Sequence, residues 1–495
     1  MNNLHLNFNR YRKADIKAVF KKYHLESILW ELWQLKDVLN PIQKAYTTTV
    51  AIEFSEPGQY DSTIIRIEKN DLMNLVDLAT SFCLKNGEAG RDFSNQTHDI
   101  FYYIFNLIAN QFSVSYDSYG DFARAILLYK IIPCEVVTEK PEYFLPDLFE
   151  KEKGYSIDDY LKVCFIAFAA IEANGKFADD YFIEASTLPR TPDFKTMNSI
   201  LSDISASAVH YRRERKNTNS LGSFRYQPLL MYPLIKPWSH ISKDQRGKRY
   251  LSPLPHLIGH KAHIGIYHHF LSRYKTEFTS YFGKEIFERY VKKALISCCH
   301  GDELKDEETI KKEYKIPNGV SIPDFLLIKG DTGVIVECKA AVLPLGIYIR
   351  GLIDDFRTTV NKVYTGVCQA ANFEEFALGS SLYNVSDWMR VVVTYEPLWG
   401  MNTTIFSDIL ITDFKKNEDA VKFKEYFDDT LILSVSQLDI IQPHITENDS
   451  IFSILKRIKR NSFNDEVKAL ANKTGRSFKD SHLAKYFDQM TQGFG

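Results

Sequence analysis

Two carboxylates and an ammonium group lie close together in SIPDFLLIKGDTGVIVECKA, residues 321–340. Val, Ile, Leu and Phe dominate the runs on either side of Gly330-Asp331, and that dipeptide is a hairpin turn signal. If those two residues are the whole loop, antiparallel pairing matches residues whose numbers sum to 661, which sets Asp324 across from Glu337. Directly opposed side chains have Cβ atoms about 5 Å apart. Strand alternation puts Ile335, Glu337 and Lys339 on one side and Val334, Val336 and Cys338 on the other. Carboxylates so placed suit a hard, octahedral cation such as Mg²⁺, which is commonly held by one or two carboxylates together with water and phosphate.

Elements on both sides of the hairpin must position these groups. GKEIFERYVKKALISCC (283–299) has Phe287, Val291 and Leu295 at helical spacing and carries Glu288. TTVNKVYTGVCQAANFEEFAL (358–378) is expected to be a helix carrying Gln369, and RVVVTYEPLW (390–399) the next strand. Pro323-Asp324, a twelve-residue spacer and Glu337-Cys338-Lys339, set between such elements, resemble the core motif of the PD-(D/E)XK, or restriction-endonuclease-like, nuclease superfamily. The resemblance covers residues 280–400 or so, about a quarter of the chain, and identifies no subfamily. The flanking elements agree with the motif, which makes it more specific than the short residue pattern alone.

That resemblance implies a mixed β-sheet core flanked by helices, and metal-dependent endonuclease chemistry on phosphodiesters, DNA rather than RNA. The metal would be Mg²⁺, with Mn²⁺ as a substitute. Asp324 and Glu337 would hold it, joined by the backbone carbonyl of Cys338 and by Glu288, directly or through water. Lys339 would orient or deprotonate the attacking water or offset transition-state charge, and Gln369 would position a phosphate or the lysine. Such a chain would serve restriction, antiviral defence or DNA repair. Two other classes remain open: a non-catalytic nucleic-acid-binding protein of the same fold, and a helical scaffold whose nuclease effector is switched by a partner; a homodimer or a partner protein fits either.

The rest of the chain bounds these readings. With 495 residues, 45% apolar and 14% aromatic, it is long enough for two or three domains and too apolar for a disordered protein. MNNLHLNFNRYRK lacks the apolar segment of a signal peptide, and VCFIAFAAI (163–171) is too short to span a membrane. Seven scattered cysteines without a CxxC pair read as reduced core residues, so a cytoplasmic location is expected. No GxxxxGK[ST] loop occurs, so any ATPase activity would belong to a partner.

Four parts are expected: a mostly helical domain over 1–205, a basic and aromatic connector over 206–275, the nuclease-like core over 276–415, and a strand with helices over 416–495. Helical apolar spacing recurs in 25–39, 70–87, 97–112 and 157–175, and TLILSVSQLDII (430–441) reads as a strand. The net charge of −2 hides a local run in the connector. Arg212, Arg213, Arg215, Lys216, Arg246, Lys248 and Arg249 stand among aromatics there, which suits either phosphate contact or a solvated linker. In PHLIGHKAHIGIYHHF, His256, His260 and His263 would share one face of a helix. Pro255, Gly259 and Gly265 argue against a regular helix there, and no nearby Cys or carboxylate completes a zinc set.

Overall fold

The computed structural model describes residues 13–35, 38–56, 67–88, 117–137, 143–178, 181, 184–187, 190–217, 228–236, 249–344, 353–380, 382–398, 402 and 420–492. The chain is mixed α/β, with many helices and two small sheets. No helix among the described residues is long and apolar enough to cross a membrane.

Apolar stripes fold the first part into α1 (Lys13–Phe20), α2 (Leu25–Gln34), α3 (Pro41–Phe54) and α4 (Lys69–Glu88). Asn40 starts α3 with a capping box: its side chain accepts from Gln43 N while the Gln43 side chain accepts from Asn40 N. There follow α5 (Ser118–Ile126), α6 (Leu145–Lys153), α7 (Ile157–Asn174), α8 (Phe194–Ile204) and α9 (Ala208–Asn217). Ser156 caps the start of α7, and Gly175, at φ +70°, ends it. The helix expected over 97–112 lies outside the described residues.

A small sheet is laid over these helices, built from β1 (Lys176–Ala178), β2 (Ser205–Ser207), β3 (Leu234–Lys236) and β4 (Arg249–Leu251) in the order β1-β4-β3-β2. Part of the segment expected to be a connector therefore pairs with residues 176–178. The long helix α10 (His256–Tyr281) follows directly. It runs through Gly259 and Gly265, against the sequence expectation, because most of Leu257–Phe270 is buried, and it kinks further on at Lys275, where φ is +46°. Burial there outweighs the glycines' poor helix propensity. A π-helical segment, Phe282–Phe287, leads into α11 (Glu288–Cys298).

The second sheet holds the hairpin. Its strands are β5 (Glu303–Asp306), β6 (Phe325–Lys329), β7 (Thr332–Lys339), β8 (Asp387–Thr394) and β9 (Thr430–Ser434), in sequential order. β5, β6 and β7 pair antiparallel, while β7, β8 and β9 pair parallel. Between β5 and β6 lies α12 (Glu307–Glu313), and between β7 and β8 lies α13 (Ile353–Gly379). Alternation separates the two faces cleanly. Val334, Val336 and Cys338 join the core that includes Phe287, Tyr290 and Val291, whereas Leu326 and Ile335 pack with Ala370 and Phe373 of α13. The strand expected over 430–441 stops at Ser434, where helix α14 (Val435–Ile441) begins. Ser434 and Gln437 form a capping box, and its two hydrogen bonds favour the helix over continued extension.

Candidate active site

The register of β5, β6 and β7 assembles the acids. Phe325 pairs with Asp306 on one side and Val336 on the other. Just past that pairing, Glu307 at the start of α12, Asp324 ahead of β6 and Glu337 on β7 come close enough to act on one another's charge. The hairpin matches the sequence expectation: Phe325 opposes Val336, Lys329 opposes Thr332, and Gly330 takes φ +62° in the two-residue turn. β6 starts at Phe325, so Asp324 stands just ahead of the strand instead of within it.

Its place there has a consequence for β7. Beyond Val336 no strand residue meets β7 on that edge, and Asp324 Oδ2 accepts from Cys338 N at 2.6 Å. The amide and carbonyl of a strand residue point to the same edge, so the Cys338 carbonyl faces the same gap. Its thiol is buried in the core on the opposite face, and burial holds its pKa well above the usual thiol range.

Glu337 is only 2% exposed. Its Oε2 accepts from Lys339 Nζ at 2.9 Å, and its Oε1 is buried without a hydrogen-bond partner. Burial lifts its pKa to about 7, with Asp324 and Glu307 adding to the rise and Lys339 opposing it. Glu288 rises to about 8, first through burial and then through repulsion from Asp324. The pKa of Asp324 is also raised, chiefly by burial, against the pull of the Cys338 amide and Lys339. Burial works against the Lys339 charge, but Glu337 and then Asp324 outweigh it and hold the ammonium protonated. The site therefore carries four acids against one strand lysine, and its surplus negative charge is half hidden from water.

Helix α13 closes the far side. A Cβ at Gly366 would lie 3.1 Å from both Cγ and Cε of Lys339, so the glycine leaves the space along which the lysine stem runs. Gln369 is three residues further along the same helix face, with its side-chain Oε1 buried and unpartnered. Sequence reasoning missed Glu307 and Gly366. The first becomes visible only once β5 is paired with β6, and the second only once α13 packs on β7.

The donor set suits a hard cation. Among the described residues no three His, Cys, Asp or Glu side chains group closely enough to hold a metal by themselves. The available ligands are the two carboxylates and the Cys338 carbonyl, leaving room for water and a substrate phosphate, an arrangement Mg²⁺ accepts. The orphaned Glu337 Oε1 fits such an ion, because a buried carboxylate oxygen without a donor is costly until something positive meets it.

Among the basic residues expected to meet nucleic acid, Arg212 is taken up inside the fold. Arg212 donates through Nε to Ile52 O at 2.6 Å and through Nη2 to Ser55 O, so its guanidinium satisfies the C-terminal end of α3 instead of facing a phosphate. Arg213 is exposed and meets His210 Nδ1 at 3.0 Å. Arg215 and Lys216 lie on α9 and Arg249 on β4, while Arg246 and Lys248 fall outside the described residues. Arg212→Ala should cost about 1–3 kcal/mol of stability through two carbonyls left without a donor. Urea unfolding of the two proteins checks this.

The histidines of α10 part company. Carboxylates distant in sequence meet them one by one: His263 Nδ1 stands 3.6 Å from Asp121, His260 Nε2 3.5 Å from Glu396, and His269 Nε2 2.7 Å from Glu152. Three separate pairs make no shared metal site. No family model matches the chain, and no curated protein matches it either.

Proposed function

We propose that the chain is a metal-dependent nuclease of the PD-(D/E)XK kind, hydrolysing phosphodiester bonds, with DNA as its substrate in restriction, antiviral defence or repair. The observation that carries this reading is Glu337: a carboxylate buried to 2% exposure, one oxygen on Lys339 and the other without a partner, in register with Asp324. Asp324, Glu337 and the Cys338 carbonyl would hold Mg²⁺, with Glu288 near enough to feel Asp324 and able to join them through water. The ion, when bound, supplies Lewis acidity and lowers the pKa of its water.

The chain's own residues do the rest. Asp324 holds the Cys338 amide and so fixes the end of β7, from which Lys339 projects. Lys339, kept protonated, offers a hydrogen bond and a positive charge where negative charge builds up on the phosphate. Gln369 offers an amide from the far wall.

Purified protein incubated with plasmid DNA, single-stranded DNA and RNA, each with Mg²⁺, Mn²⁺ or EDTA, tests the proposal. Cleavage of DNA with either metal and none with EDTA is the expected result. Cleavage undiminished by EDTA, or none of any substrate under any condition, would overturn it.

Protonation gives a second handle. Glu337 and Glu288 have folded pKa values of about 7 and 8, above their ordinary 4.5. Between pH 4.5 and those values the folded state binds more protons than the unfolded state, so the stability they contribute falls as pH rises. Mg²⁺ binds the ionised forms. The increase in Tm on adding Mg²⁺ should therefore be small at pH 5.5 and large at pH 8. An equal shift at both would separate the ion from these carboxylates.

A further inference from the structure

Away from the nuclease centre, a cavity of about 310 Å³ lies among α6, α7, the end of α8, the segment at Leu230-Met231 and one face of α10. That volume falls at the lower end of the range for small-molecule sites. Its floor and sides are largely apolar, with Phe149, Leu230 and Ile266 among them. Two cationic side chains enter it, Lys153 and Lys261.

Lys153 is already matched, since its Nζ donates to Asp203 Oδ2 at 2.7 Å. Lys261 is not: among the described residues its Nζ makes no hydrogen bond or ion pair. Asp203, the one acid on the cavity wall, is held by Lys153 and by the Tyr155 hydroxyl. Lys261 is half-buried, and Asp203 attracts its charge without touching it, so its ammonium keeps donors to spare for a ligand. A Cβ at Gly265, one turn further along α10, would come within 2.8 Å of Lys261 Cδ. A glycine inside a helix costs about 1 kcal/mol relative to alanine. Here its missing side chain is the channel through which the lysine stem lies. His268, on the same wall and close enough to Lys261 to feel its charge, has a buried Nε2 without a partner. Burial lowers the Lys261 pKa to about 8 and that of His268 to about 3, so at neutral pH Lys261 is mostly an ammonium and His268 a neutral imidazole.

We propose that this cavity binds a small phosphate-bearing molecule of mononucleotide size, its phosphate meeting Lys261 and His268 and its less polar part lying against Phe149 and Ile266. A phosphate monoester fits better than a single carboxylate. It carries close to two charges at neutral pH and three strong acceptor oxygens, enough for Lys261, His268 and the spare hydrogens of Lys153. The site is independent of the nuclease reading, because none of its wall residues belongs to the carboxylate row.

Calorimetric titration in EDTA, with the full chain and the four nucleoside 5′-monophosphates, inorganic phosphate, the four parent nucleosides and succinate as probes, tests it. At least one monophosphate should bind, its parent nucleoside should bind at least tenfold more weakly, and succinate should not compete. Lys261→Met and His268→Phe should each weaken the monophosphate at least tenfold. Ligand-free Lys261→Met should also melt no lower than wild type, since it removes a half-buried ammonium that makes no ion pair; a lysine kept for structure would move Tm the other way. Should Lys261→Met fail to fold, Lys261→Gln gives the same comparison with a polar replacement. Glu337→Gln serves as the control and should bind the monophosphate like wild type. Loss of binding in that variant would place the ligand at the nuclease centre and overturn the proposal. So would the absence of binding by every phosphorylated probe, or equal affinity in wild type and Lys261→Met.

Discussion

Lys339→Ala should lower the single-turnover rate of DNA cleavage by about 10²–10⁴-fold, the range for loss of one positioned proton-transfer or charge-stabilising group. Substrate affinity and thermal stability should change little. The side chain is 20% exposed, and its ammonium reaches no protein acceptor but Glu337 Oε2 among the described residues. Removing it takes little from the core and most from the site. Glu337→Gln should abolish metal-dependent cleavage with a fold equally intact. A carboxyl whose pKa is about 7 is half protonated near neutrality, and glutamine closely resembles its neutral form. The pair of variants therefore separates roles, because the glutamine variant should also lose the Mg²⁺-dependent rise in Tm while the alanine variant keeps it. Wild-type cleavage by either variant at saturating Mg²⁺ would remove these residues from the chemistry. Under the proposed nuclease function, the geometry also narrows the role of Lys339. An ammonium held protonated by Glu337 and Asp324 cannot take a proton from water before releasing its own, so a charge-offsetting or orienting role fits it better than that of a base.

The hairpin was legible in the sequence because its turn is only two residues long. Gly330-Asp331 fixes the pairing sum, and the sum fixes which side chains oppose one another. Glu337 and Lys339 then share a face by alternation alone. Glu307 escaped notice because β5 is a four-residue edge strand, ELKD, whose charges read as a solvated loop until Leu304 and Lys305 are seen paired with Leu327 and Leu326. The helix α10 was obscured by local propensity. Gly259 and Gly265 speak for a break, and what overrides them is the burial of residues such as Ile258, Ala262 and Ile266. The end of β9 was legible and was overlooked, since Ser434-x-x-Gln437 is a helix-start signal written into the chain. Arg212 illustrates the opposite hazard. A run of basic residues suggests phosphate, but its neighbour in space is the carbonyl end of α3, 160 residues away, and no local pattern announces that.

A second large effect is expected far from the carboxylates, at Asp439. Arg124 is fully buried, and its Nε donates to Asp439 Oδ2 at 2.8 Å while its Nη1 donates to Asp121 Oδ1 at 2.9 Å. Tyr290 donates its hydroxyl to the same Asp439 oxygen at 2.6 Å, and His482 Nε2 stands 2.9 Å from the other. One carboxylate thus joins α5, α11, α14 and the C-terminal segment, and links the helical part of the chain to the helix that follows β9. Asp439→Ala should destabilise the protein by about 3–5 kcal/mol, because it leaves the buried guanidinium with Asp121 alone and two further groups unpaired. Asp439→Asn should recover little, since the amide restores hydrogen bonds but not the charge opposite Arg124. The double variant Arg124→Met with Asp439→Leu should be far less damaged than the sum of its single changes, as expected when a buried pair is replaced by apolar side chains of similar bulk. Urea unfolding of the four proteins measures the coupling. Additive losses would mean that the pair does not act as a unit. The acid side carries the same signature: Asp439 has its pKa lowered, burial being outweighed by Arg124 and His482, so its contribution is complete above the unfolded pKa near 4 and disappears as pH falls through the folded value. As pH falls from about 4 through the folded pKa the wild type and Asp439→Ala should therefore draw together in stability, and a gap that persisted below that value would show that packing, not the ion pair, holds these four elements together.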